Sequence, residues 1–357
     1  MIFIELTQAN LDLQKNLRLA FLFRNHMFNI TEMISAFFRS IPLAYTTLVV
    51  FLLVGLFQFM PAKAEEANSA DFNFVAAGDW GCGHEALNTF SMMKGMKPEL
   101  YLGLGDYSYM DSSDCWLNIV KSVGKSFKIA LGNHDTEGQL LQAYMDEFKL
   151  EKQYYSFNYR NAHFIALSTE LSKPDEIEQL KFVKNDLLRT KANKNIDWTI
   201  VFFHKPFYSA DGSDITNMRR TYHPIFENFG VDLVIQGHSH NYQRTYPLLY
   251  NEARNSEPIV SDKEQLQYHD PLGIIFLIVG TGGESLQPLN KKSFHASTYE
   301  GYGCINVEIK GKSMNVEYYS DTNNTIDKFF ITKKQHDSKS MDAKSEIQRI
   351  EYYKSAK

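Results

Sequence analysis

The chain has 357 residues, a formal net charge of −5, 44% hydrophobic residues and 22% charged residues. The apolar share supports a real core in one large domain or two small ones, and the acidic balance leaves no basic footprint for nucleic acid. Three cysteines, Cys82, Cys115 and Cys304, are too few for a disulfide framework; one bridge is open to an exported chain, and the sequence does not choose the pair.

In chain order, residues 1–32 read as an N-terminal extension of uncertain standing, with Met27 and Met33 as candidate starts. Residues 33–64 read as a signal peptide or an N-terminal membrane anchor. The run IPLAYTTLVVFLLVGLFQFM, residues 41–60, carries no charge and is long enough to span a bilayer, while Ala62-Lys63-Ala64 fits a small-x-small cleavage site. Export is therefore expected, to a secreted or an N-terminally anchored state, with membrane contact only through this segment if it is uncleaved. Residues 65–70 read as a polar linker, 71–333 as the catalytic domain, and 334–357 as a charged, helix-prone tail.

Within 71–333, apolar runs predict strands at 72–78, 100–105, 127–132, 163–168, 198–203, 231–237 and 274–280. They are rich in Val, Ile, Leu and Phe without strict alternation, which suits strands covered on both faces in an α/β protein. Helices are predicted near 84–96, 175–190 and 216–229. The stretch SFNYRNAHFIALS predicts a hairpin turning at Asn161. The polar stretch 248–273 predicts a long surface loop.

Nearly every apolar run ends in polar residues. GDWG puts Asp79 at the first tip, GDYSY puts Asp106 and Tyr109 at the second, and GNHD puts Asn133, His134 and Asp135 at the third. WTIVFFH ends at His204, and VDLVIQGHSH at His238 and His240. Ligands in open α/β sheets gather beyond the carboxyl ends of the strands. A lone Asp after Gly usually marks a turn and a lone His at a strand end is usually a surface residue; the ordered set is what points to chemistry.

The order D-x-G, GD-x-x-Y, GN-H-[DE], V-x-x-H, GH-x-H, carried here by Asp79 to His240, resembles the purple acid phosphatases of the calcineurin-like metallophosphoesterase superfamily. The resemblance covers about residues 71–330 and implies a four-layer α/β/β/α sandwich of two mixed sheets flanked by helices. It implies hydrolysis of phosphate monoesters on small phosphorylated substrates, by in-line attack of a metal-bound hydroxide. By the same resemblance Asp79, Asp106, Tyr109 and His240 hold Fe(III). Asp106, Asn133, His204 and His238 hold a second, divalent metal (Fe, Zn or Mn), with Asp106 bridging and His134 contacting the phosphate.

The donor types agree with this: Asp, Asn and His suit hard or borderline metals, and paired cations clamp both oxygens of a phosphoryl transfer. Many superfamily relatives carry D-x-H at the first motif. Gly81 stands there in this chain, and Tyr109 replaces the missing imidazole with a phenolate, whose extra negative charge favours a trivalent ion. Tyr107 reads as packing and GTGGES, residues 280–285, as close backbone packing near the site. The pattern departs from the family at one place. The histidine expected nine or ten residues beyond the V-x-x-H histidine is absent, and Ser213 and Asp214 occupy that offset. Asp214 is then a candidate general acid, or alternatively the N-cap of the following helix; His134 is the other candidate acid. Arg219 or Arg220 is a candidate phosphate contact, and Tyr242 a candidate wall of the substrate pocket. Two rival readings stand beside the phosphatase: a phosphodiesterase or nucleotide pyrophosphatase on the same metals, and a di-iron redox or metal-binding module.

Overall fold

The computed structural model describes residues 71–334. The hydrophobic segment 41–60 and the tail beyond Lys334 lie outside the described residues. Among the described residues, no helix is long and apolar enough to cross a membrane.

The first half of the domain alternates strand and helix. β1 (Phe72–Ala77) leads to α1 (His84–Gly95), β2 (Leu100–Gly103) to α2 (Asp114–Val120), and β3 (Phe127–Ile129) to α3 (Leu140–Phe148). β4 (Tyr155–Tyr159) and β5 (Ala162–Ala166) form the expected hairpin, with Arg160 and Asn161 at its turn. α4 (Lys173–Ala192), started by Pro174 in its first turn, leads to β6 (Trp198–Phe203). α5 (Thr216–Phe229) ends on Gly230 in the left-handed conformation and leads to β7 (Leu233–Gln236).

The second half is mostly antiparallel. It runs through β8 (Tyr242–Thr245), β9 (Leu248–Leu249), β10 (Ile259–Val260), β11 (Gln267–His269), β12 (Ile275–Val279) and β13 (His295–Tyr299). The meander β14 (Gly303–Lys310), β15 (Ser313–Ser320) and β16 (Thr325–Thr332) completes it. The stretch 248–273 is therefore not a structureless loop: β9 pairs with β10, and β11 adds to the edge of β16. The strands from β13 onward escape the sequence reading because polar residues interrupt them, as in GCINVEIK of β14 and SMNVEYYS of β15, and leave no long apolar run.

Two seven-stranded mixed sheets result, one ordered β11-β16-β15-β14-β1-β2-β3, the other β13-β8-β12-β7-β6-β5-β4. The seven predicted runs become β1, β2, β3, β5, β6, β7 and β12, all but β3 flanked by a strand on each side. β1, β2 and β3 are parallel to one another, as are β5, β6, β7 and β12. In β6 the two faces serve different layers. Ile200 and Phe202 join Phe74, Leu277 and Val307 in the core between sheets, while Val201 and Phe203 pack with Val183, Leu187 and Phe226 of α4 and α5. Burial on both faces is why these strands read as unbroken apolar runs. The expected sandwich of two mixed sheets flanked by helices is present.

Candidate metal centre

The parallel strands of both sheets end at one edge. β1 delivers Asp79, β2 delivers Asp106 and Tyr109, and β3 delivers Asn133 and His134; β6 delivers His204, and β7 delivers His238 and His240. Backbone hydrogen bonds tie these tips together: Asp79 N–H donates to the Gly105 carbonyl at 3.0 Å, Trp80 N–H to Asp106 at 2.9 Å, and Gly237 N–H to His204 at 2.9 Å.

The turns are tight enough to force unusual backbone. Asp79, Asp106 and His238 take positive φ values of 58°, 52° and 71°. Each such residue costs about 1 kcal/mol or more and persists only where its surroundings impose it. Here they do. Asp79 Oδ2 accepts from His238 N–H at 2.8 Å, and Asp106 Oδ1 accepts from His134 N–H at 2.9 Å. Gly105, with φ of 90°, has no room for a side chain: a Cβ there would lie 2.7 Å from both Gly132 N and His204 Nδ1.

The side chains fall into two groups that share Asp106. On one side, the Tyr109 hydroxyl lies 3.0 Å from His240 Nε2, 3.3 Å from Asp79 Oδ1 and 3.5 Å from Asp106 Oδ2. On the other, His204 Nε2 lies 3.1 Å from Asp106 Oδ2, 3.2 Å from Asn133 Oδ1 and 3.2 Å from His238 Nδ1. Asp106, His204 and His238 converge closely enough to hold one cation.

The donor chemistry fits a cation on both sides. His204 Nδ1 is 2.8 Å from the Leu104 carbonyl, which only accepts, so Nδ1 carries the proton. Neutral His204 then turns a bare lone pair toward a carboxylate oxygen, an amide oxygen and another imidazole. Lone pairs do not pack against lone pairs without a positive charge between them. Without a metal that charge is a proton: burial works to lower the His204 pKa, yet the Asp106 carboxylate carries it up. Asp106 mirrors this, raised by burial but brought down by His204. His240 repeats the design, its Nδ1 held at 2.8 Å by the Ser285 carbonyl and its Nε2 facing Asp79 and Tyr109. Burial, then the Asp79 and Asp106 carboxylates, push the Tyr109 phenol far up. It ionises only where a cation offsets those charges.

His134 sits at the rim, with 37% of its side chain exposed and its ring 4.4 Å from that of Tyr109. Three other candidates are not at the site. Asp214 forms an ion pair with Arg219 through Oδ2; it does not cap α5 either, since Ile215 holds that position. Arg219 is 1% exposed and bound to Asp214, the Phe207 carbonyl and Asn255 Oδ1, so it is no phosphate contact. Tyr242 is buried, donates to Asp327 Oδ2 at 2.8 Å and stacks on Tyr318, which makes it core rather than pocket wall. Of the pair at the histidine offset, Ser213 is the one that touches the turn carrying His238 and His240, its hydroxyl 2.7 Å from that of Ser239. Arg220 is exposed on the same helix.

The sequence left several supporting residues without a role. Asp135 is fully buried and accepts from Asp106 N–H at 2.7 Å, Tyr107 N–H at 2.9 Å and Gly132 N–H at 2.7 Å. Its place in GNHD was the signal. Gly283 and Glu284 donate backbone N–H groups to the Asp79 carbonyl at 3.0 and 2.9 Å, which is the close packing expected of GTGGES. Gly81 has φ of 57°, so a side chain at the place where D-x-H relatives carry an imidazole would be strained, and the Glu284 carboxylate, 2.8 Å from a Cβ there, would have to swing aside. Tyr107 packs as expected, its hydroxyl on the Ala130 carbonyl and its ring 4.0 Å from Trp116.

Residues 72–242 match the family described as calcineurin-like phosphoesterase. That stretch is similar to calcineurin-like metallophosphoesterase domains, and within that class the chain is similar to the purple acid phosphatases. It is 24% identical over 272 residues to purple acid phosphatase 15 of Arabidopsis thaliana, covering 64% of this chain and 47% of that protein. It is 28% identical over 259 residues to acid phosphatase type 7 of Mus musculus, covering 62% of this chain and 57% of that protein. A purple acid phosphatase from yellow lupin (Lupinus luteus) seeds superposes with a TM-score of 0.65 at 21% identity, over 75% of this chain and 55% of that one. The chain spans about half the length of the curated relatives it matches.

Proposed function

We propose that the chain is an acid phosphatase that holds two cations at the head of its sheets and hydrolyses phosphate monoesters. The observation that carries this reading is the position of Asp106 Oδ2, 3.5 Å from the Tyr109 hydroxyl and 3.1 Å from His204 Nε2. One carboxylate faces both donor groups, as a shared ligand must. Asp79, Asp106, Tyr109 and His240 would hold a ferric ion; Asp106, Asn133, His204 and His238 would hold divalent iron, zinc or manganese. Such a pair supplies an activated water and draws charge from the phosphoryl oxygens.

The chain's own groups do the rest. Leu104 and Ser285 fix the tautomers of His204 and His240, so that both rings offer Nε2 inward. Tyr109 would lose its proton to solvent only where a strongly Lewis-acidic cation binds its oxygen, which favours a trivalent ion there. His134, held by its backbone to Asp106 Oδ1 and by its ring to Tyr109, is placed to bind a phosphoryl oxygen and to protonate the leaving group. With Asp214 committed to Arg219, that role falls to His134. The relatives called purple acid phosphatase and acid phosphatase type 7 support monoester hydrolysis.

We read residues 71–333 as the catalytic unit and the chain as exported; the disulfide between Cys82 and Cys115 supports export, since such bridges persist in oxidising compartments. The decisive experiment compares turnover of a phosphomonoester and a phosphodiester from about pH 4 to about pH 8, with metal analysis of the same protein. Monoester turnover strongest on the acid side, with two metals per chain, is expected. Diester turnover alone would replace the reading by a phosphodiesterase, and metal without turnover by a binding or redox module.

A further inference from the structure

The two bridged cysteines lie on two of the turns that build the centre. Cys82 follows Asp79 by three residues, and Cys115 follows Tyr109 by six, in the first turn of α2. Their Cα atoms are 5.8 Å apart, and Cys304 is buried and free in β14. Between them sits Ser108, the residue before Tyr109. Its hydroxyl is 3.6 Å from Cys115 Sγ and 3.8 Å from Cys82 Sγ. The same hydroxyl donates to the Ser112 carbonyl at 2.8 Å and accepts from Met110 N–H at 3.2 Å.

The stretch that needs holding is the irregular segment 108–113, between β2 and α2. Asp135 anchors the turn at Asp106 and Tyr107, upstream of it. Beyond Tyr107 the chain runs out along the surface, where Met110 is 62% exposed. Surface segments with few buried contacts open locally at low cost. Tyr109 lies in that segment, and its hydroxyl must meet Asp79 and His240 from outside the strand end. A covalent tie at Cys115 to the Asp79 turn, with Ser108 wedged against it, shortens the free segment and sets the phenol over Asp79.

We propose that Cys82, Cys115 and Ser108 are positioning residues for Tyr109, and that the bridge selectively secures the Asp79/Asp106/Tyr109/His240 cation. The proposal rests on the ligand reading given under the proposed function. The second donor group makes the opposite expectation for itself: Asn133, His204 and His238 come from the ends of β3, β6 and β7, which the bridge does not touch. Loss of the bridge therefore unbalances the pair rather than emptying both positions.

The test uses full-length, metal-loaded protein and a Cys82→Ser/Cys115→Ser double variant, each also in a Tyr109→Phe background. Metal content per chain, the rate of metal loss to a chelator and the visible absorption are measured. In the double variant the metal beside Tyr109 is expected to leave at least about tenfold faster, the scale of change when a group that orients a ligand is removed. The absorption band fades with it, and the other metal stays. In the Tyr109→Phe background the cysteine changes add no further loss, since they act through Tyr109. Equal loss of both metals, or an unchanged band and unchanged rates, overturns the proposal. If the double variant does not fold, alkylation of denatured, unreduced wild-type protein decides: labelling of Cys304 alone supports the bridge, and labelling of Cys82 and Cys115 overturns it. A wild-type protein that holds no metal at all fails the ligand reading itself, a result separate from either outcome in the variants.

Discussion

Asp135 accepts a hydrogen bond from the backbone N–H of Asp106 at 2.7 Å, and through it one buried side chain holds the turn that carries the proposed shared ligand. Its two oxygens also take the N–H groups of Tyr107 and Gly132. Asp135→Ala leaves three buried donors unpaired, each worth about 1 kcal/mol or more. We expect a loss of at least about 3 kcal/mol in urea unfolding, together with weaker metal retention. Asp135→Asn keeps one acceptor oxygen and should lose less on both counts. Equal stability of wild type and Asp135→Ala would contradict the anchoring role.

Tyr109→Phe should remove visible absorption while leaving the fold intact. Burial and the Asp79 and Asp106 carboxylates hold the phenol in its neutral form until a cation is present. Metal-free wild-type protein is therefore also expected to be colourless, and to gain its band on loading with iron. A band of unchanged intensity in the loaded variant would show that the tyrosine is no ligand.

Asp214→Asn should destabilise the protein without changing its activity profile with pH. The substitution leaves the Arg219 guanidinium buried without its carboxylate, which costs about 3 kcal/mol. On the proposed reading, in which His134 and not Asp214 supplies the proton, the acid and basic limbs of kcat should stay where they are. A shift of the basic limb would restore Asp214 as the acid.

Acid stability should depend on His295, which is buried at the start of β13. Burial, then the ammonium groups of Lys292 and Lys291, push its imidazole down to about 3. The unfolded chain takes up that proton near pH 6.5, so the stabilisation is complete above that pH and is lost as pH falls toward the folded value. By about pH 5 the loss from this residue is about 2 kcal/mol. Urea midpoints measured near pH 7 and near pH 5 should converge in His295→Gln relative to wild type.

The centre was legible because strand ends convert spacing in sequence into closeness in space. Each of Asp79, Asp106, Asn133, His204 and His238 follows a continuous apolar run, and the burial of those runs on both faces makes the runs themselves conspicuous. The supporting groups were not legible for a different reason. Leu104 and Ser285 act through carbonyl oxygens, which every residue has. Arg219 and Asp214 look like site residues in one dimension, and only the packing of α5 against Phe207 reveals that they serve each other. Strands β13 to β16 escaped notice because polar residues break up their apolar pattern, although β14 is the strand that pairs with β1.

That last pairing has a consequence for how the protein matures. β1 lies between β2 and β14, so the first strand of the domain waits for one made near the end of its synthesis, with Phe72 opposite Ile309. A nascent chain has every proposed ligand in hand well before it owns the strand that pairs with β1. On the proposed reading the cations are acquired only after β14 joins the sheet, and ribosome-tethered intermediates lacking residues 303–310 should emerge inert toward phosphate esters.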